Sequence, residues 1–180
     1  MQTVWIGARA LVFMSGFVSV WMWIALSLRK LDAGLGGALP GWVEAPGMGC
    51  MIAGAVLALV CAGTFVVRGR GTPAPFDAPR RFVAGGPYRI VRNPMYVGGF
   101  LVLAGFGLYL RSPSILLLAA GWLLPAHLFV VWYEEPVLQE RFQQAYQEYC
   151  RRVPRWIPRI LRGPPGRPAG LPEHVPRPSR

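Results

Sequence analysis

Residues 112–133 read SPSILLLAAGWLLPAHLFVVWY, 22 residues without one charged side chain, and the run stops at Glu134-Glu135-Pro136. A helix needs about 20 apolar residues to cross the hydrocarbon layer of a bilayer, so this stretch reads as a membrane span ending at two carboxylates. Three more uncharged runs precede it: residues 93–110 (18 residues), 45–67 (23) and 10–28 (19). Four spans are the economical reading, with the third the shortest. After the acids, Leu138, Phe142, Ala145 and Tyr149 recur at helical spacing, so an amphipathic helix is expected to lie against the membrane face or cap the bundle. The expected fold class is therefore all-α: an integral membrane helical bundle of about four transmembrane helices plus a C-terminal amphipathic helix.

Composition agrees with that pattern. Of the 180 residues, 53% are hydrophobic and 15% charged, against about 25% charged in a typical soluble domain. The apolar excess sits in the long uncharged runs, which argues against a soluble globular protein. Three cysteines make no disulfide framework. The first run follows only Arg9 and lacks a small-x-small cleavage pattern, so it does not read as a signal peptide.

The net charge of +11 raises the question of nucleic acid, but the placement of the bases favours a membrane surface. With both termini inside, 16 of the 19 Lys and Arg residues fall on the inner side, and the positive-inside rule selects that orientation. The expected location is the cell inner membrane, multi-pass, with both termini cytoplasmic and no nucleic-acid partner. Three segments follow: an N-terminal transmembrane hairpin (1–70), a membrane region carrying the motifs (71–162), and a tail (163–180) with six prolines in 18 residues that reads as disordered.

Two stripes of small residues stand out. Cys50, Gly54, Ala58 and Ala62 recur every four positions in the second run, which lets helix backbones approach closely. Gly98, Gly99, Gly105 and Gly107 thin one side of the third run, for packing or to leave room for a ligand.

Chemistry concentrates at the inner ends of the last two spans. Residues 85–98 read GGPYRIVRNPMYVG. Pro94 suits a first helical turn, whose free N–H groups favour an anion, with Arg89 and Arg92 nearby. Tyr88 and Tyr96 are able to stack on a ring or face a cation; an interfacial belt of Tyr and Arg is the plainer alternative. Glu134 and Glu135 abut an apolar run, where carboxylates are costly unless solvated or paired. They read either as a helix start or as one acid turned inward. Val153-Pro154-Arg155-Trp156-Ile157-Pro158 reads as a headgroup anchor, and His127 as a packing histidine.

In this order, Gly86-Pro87-Tyr88, Arg92-Asn93-Pro94-x-Tyr96-x-Gly98, Glu134-Glu135-x-x-Leu138 and Phe142-x3-Tyr146-x2-Tyr149-x3-Val153-Pro154 resemble the isoprenylcysteine carboxyl methyltransferase family, to which phospholipid N-methyltransferases are related. The resemblance covers about residues 70–160. It implies an integral membrane methyltransferase, carboxyl O-methyltransferase-like, that uses S-adenosylmethionine on a lipophilic or small membrane-accessible acceptor (a carboxylate or similar). Carried over residue by residue, it implies cofactor contacts from Arg80, Arg81, Phe82, Val83, Tyr88, Asn93, Pro94, Met95, Tyr96 and Glu134. It implies catalytic roles for Arg92, Asn93 and Glu134, and no metal. The family more often has His at the position of Asn93, and its eukaryotic members have Arg at that of Val130. Asn keeps a donor and an acceptor but does not titrate near neutrality. Two alternatives stand beside this reading: methylation of a phospholipid amine, and a non-catalytic membrane protein that keeps the fold for packing or binding.

Overall fold

The computed structural model describes residues 2–69 and 82–158. Within them, the uncharged runs become helices and no strand forms. Helix α1 spans Gln2–Leu28 and runs on as a 3-10 turn over Arg29–Leu35. Gly36 and Gly37 then take positive φ values of 91° and 84° and end it, a backbone state glycine adopts without steric cost. After a short turn at Gly41–Val43, α2 covers Glu44–Thr64 and widens into a π-turn at Phe65–Gly69. Helix α3 is Pro94–Tyr109, α4 Pro113–Phe129, and α5 Glu135–Arg152.

Three continuous helical stretches are long and apolar enough to cross a membrane: Gly7–Leu35, Gly41–Val67 and Pro113–Arg152. The fourth expected span, α3, has 16 residues, roughly 24 Å against a hydrocarbon core of about 30 Å. Outward faces are apolar, as lipid contact requires; Trp23 is 71% and Leu124 64% exposed.

Helices α2 and α3 run antiparallel with their backbones in contact. A Cβ placed on Gly54 would lie 2.6 Å from the Gly98 carbonyl oxygen, and one on Gly105 would lie 2.7 Å from that of Gly47. The small-residue stripes are therefore a packing seam. Gly47, Gly54 and Ala58 of α2 meet Gly98 and Gly105 of α3, while Gly107 faces Leu116 and Ile115 of α4. Cys61 is fully buried and Cys50 half-buried.

One end of the bundle is closed by polar contacts. Ser112 caps α4, its hydroxyl accepting from the Ile115 N–H, and Asp32 from the α1–α2 connection accepts the Ser114 N–H at 2.9 Å. Arg111, in a left-handed conformation at φ 56°, donates from Nε to the Leu39 carbonyl at 2.6 Å.

The other end differs from the sequence expectation in one respect. Helix α5 does begin at Glu135, but no break precedes it. Helix α4 continues through a π-turn, Val130–Glu134, directly into α5. Pro136 lacks an N–H and its ring crowds the carbonyl four residues earlier, and a widened turn relieves that conflict. The amphipathic face is also shifted: Tyr146 is buried and Ala145 exposed, with Gln143 leaving helical geometry between them and Phe142.

Candidate functional site

At this second end, the start of α3, the π-turn, α5 and residues 82–93 enclose a cavity. Phe82, Val83, Tyr88, Arg92, Asn93, Tyr96 and Glu134 line it, together with Phe65, Phe129, Val130, Tyr133, Glu135, Phe142, Tyr146 and Tyr149.

The loop that brings residues 82–93 there is built by glycine and proline. Gly86 takes φ 60°, and a 3-10 turn over Gly86–Arg89 drops Tyr88 into the end of α2. Tyr88 packs with Cys61 and Val83, its ring centroid 5.2 Å from that of Phe65. Burial pushes the Tyr88 hydroxyl well above its ordinary pKa, with Cys61 adding to the shift, so it stays a neutral donor. Its carbonyl accepts from the Tyr149 hydroxyl at 2.6 Å, which ties the loop to α5.

Asn93 is the N-cap residue of α3, but its side chain makes no cap bond. It is buried, and Nδ2 donates to the Arg155 carbonyl at 3.4 Å. Pro94 occupies the first helical turn and is fully buried; Met95 packs on the Cys61–Val83–Tyr88 cluster. Both stand behind the cavity wall. Arg89 is exposed and is not part of the lining, and Arg80 and Arg81 lie outside the described residues.

The two acids turn inward together and divide their partners. Glu134 accepts from the Tyr96 hydroxyl at 3.0 Å. Glu135 takes a two-pronged contact from Arg155, Nε to Oε1 and Nη2 to Oε2, both 2.8 Å, and its Oε1 also accepts from Arg92 Nη1 at 2.9 Å. Arg92 Nη1 further reaches Cys150 Sγ. Arg92 Nε is buried without a hydrogen-bond partner among the described residues. A buried, unmatched N–H of a charged group is expensive. The aromatic wall continues outside: Tyr96 lies 6.0 Å from Trp122 and 6.2 Å from Trp156 between ring centroids, and Trp156 Nε1 donates to His127 Nδ1 at 3.1 Å.

Glu135 and Arg155 thus belong to the site's framework although sequence reasoning singled out only Glu134 and treated Arg155 as an anchor. The acid pair itself was the available signal for Glu135. For Arg155 the signal was a base between two prolines, too common to assign alone.

The model of the family described as phospholipid methyltransferase matches residues 43–145, from the start of α2 into α5. The nickel-cobalt-cadmium resistance protein NccN of Alcaligenes xylosoxydans xylosoxydans is 35% identical to this chain over 81 residues, which is 43% of this chain and 36% of the relative. The cobalt-zinc-cadmium resistance protein CzcN of Cupriavidus metallidurans is similar to the same extent, 35% over 81 residues. The matched stretch therefore spans about a third of the length of these curated relatives, 36% in each.

Proposed function

The chain belongs to the phospholipid methyltransferase family, and on that premise we propose that it is a membrane methyltransferase that takes its methyl group from S-adenosylmethionine and delivers it to a lipophilic acceptor with a carboxylate or similar group. The observation that carries this is one aromatic cavity lined by both a tyrosine-held carboxylate, Glu134, and the side chain of Arg92.

The lining fits the cofactor's chemistry. Glu134 is suited to accept from hydroxyl, amino or ammonium groups, and the rings of Tyr88 and Tyr96 to meet adenine or a cationic centre. The positive charge of Arg92 in the lining is suited to a carboxylate. When bound, S-adenosylmethionine supplies a methyl already activated by its sulfonium. The protein's own contribution is alignment and exclusion of water: Tyr96 fixes the Glu134 carboxylate, and Phe82, Phe142 and Tyr146 close the wall beside it. Phe129, Tyr133 and Val137 line the cavity and are also 39%, 49% and 41% exposed on the outer face, which supports delivery of the acceptor from the lipid side. The distribution of bases supports an inner-membrane location with the site facing the cytoplasm.

A second reading, methylation of a phospholipid amine, is favoured by one observation. The lining holds two carboxylates, Glu134 and Glu135, against one guanidinium, Arg92, and apolar Val130 stands in the wall. An amine attacks only when neutral, and Glu134 is the lining acid not already engaged by arginines. Purified protein in detergent is expected to bind S-adenosylmethionine in a calorimetric titration, and Glu134→Gln to weaken that binding about tenfold or more. No heat of binding from folded, unmodified protein would sink the proposal. New mono- and dimethylated headgroups in lipid extracts of cells carrying the gene would select the amine acceptor.

A further inference from the structure

After α5 ends at Arg152, the chain doubles back across the site. Residues 153–158 touch it at four points: the Arg92 N–H donates to the Pro154 carbonyl at 2.8 Å, Asn93 Nδ2 to the Arg155 carbonyl, the Arg155 fork to Glu135, and Trp156 Nε1 to His127. Arg155 does not line the cavity. It acts on the carboxylate that does, and that carboxylate holds Arg92.

The geometry makes this a chain of command. A guanidinium that meets a carboxylate with two parallel N–H bonds fixes the carboxylate plane. With Glu135 so fixed, Oε1 is directed at Arg92 Nη1, which holds the Arg92 side chain in the cavity wall. Local neutralisation of Arg92 needs only Glu135, so Arg155, whose added charge leaves the trio net positive, has an orienting role. The hydrogen bonds that Arg155 donates to Glu135 also hold its guanidinium above its usual pKa, keeping the lock charged.

We propose that residues 153–158 form a clasp, and that Arg155 and Glu135 are positioning residues that aim the Arg92 guanidinium into the cavity. The inference rests on the reading that the cavity binds S-adenosylmethionine. It is tested on the full chain in detergent by calorimetric titration with S-adenosylmethionine and by thermal melting. Arg155→Ala should weaken binding about tenfold, and Arg155→Lys, which keeps the charge but loses the fork, should fall between it and the unmodified protein. The exchanged pair, Glu135→Arg with Arg155→Glu, separates aiming from simple tethering. It restores the tie between α5 and the clasp, so melting recovers, but it sets a second guanidinium against Arg92, so binding stays weak. Binding unchanged in Arg155→Ala, or binding that recovers with melting in the exchanged pair, would overturn the clasp alone. Failure of the unmodified protein to bind would remove both readings.

Discussion

The Tyr96 hydroxyl does a job its ring does not. It donates to Glu134 at 3.0 Å, while the ring packs between Trp122 and Trp156. The two roles separate by substitution. Tyr96→Phe keeps the packing and removes one donor to a charged acceptor, a loss of about 1.5–3 kcal/mol in an interaction of this kind. S-adenosylmethionine affinity should drop about tenfold, and the melting temperature should fall by several degrees as the hydrogen bond is lost. Tyr96→Ala should lower both further. Equal affinities for Phe and Tyr at this position would show that Glu134 is held by something else. The contrast also shows where residue-level reading of the sequence stops. Tyr96, Glu134 and Arg92 were legible because their ordered motif is specific. The division of labour between Glu134 and Glu135 was not, because two adjacent acids are chemically identical in a sequence and differ only in which neighbour the fold delivers.

At the level of elements, α4 is held at both ends by groups from elsewhere in the chain. Its first turn presents free N–H groups, and Ser112 and Asp32 take up two of them. Asp32→Ala should therefore cost about 1 kcal/mol. Asp32→Asn, which keeps a side-chain acceptor for the Ser114 N–H, should lose less in thermal melts. Equal melting of the two variants would mean Asp32 acts through something other than this cap. Element identity was readable from the lengths of the uncharged runs. The join of α4 to α5 was not, since Glu-Glu-Pro is an ordinary helix start and only tertiary packing favours carrying the helix through it.

Across the whole molecule, the α2–α3 seam governs where the site forms. The two backbones touch at Gly54–Gly98 and Gly47–Gly105, and Tyr88 and Met95 rest on the end of that seam at Cys61. Gly54→Leu should force the helices apart and destabilise the protein by about 1–3 kcal/mol. Gly49→Ala, where an added Cβ meets nothing within 4 Å, should leave melting in detergent unchanged. Equal melting of the two variants would count against the seam. The stripes were visible in the sequence, but their exact register was not: a spacing of four drifts around a helix, and the partner decides which members stay in contact.

The widened turn at Val130–Glu134 also sets the rotational phase of everything after it. Removing one residue upstream of Glu134 would turn the following helix by about 100°. Glu134 would swing toward the lipid, and Glu135 would lose its reach to Arg92. The stretch between the Ser112 cap and the acid pair thus works like a gear train: its teeth can be recut by substitution, but their number is set. The connection around Gly36 and Gly37 meshes with no such phase, and a changed length there costs loop closure and the seats of Asp32 on Ser114 and Leu39 on Arg111.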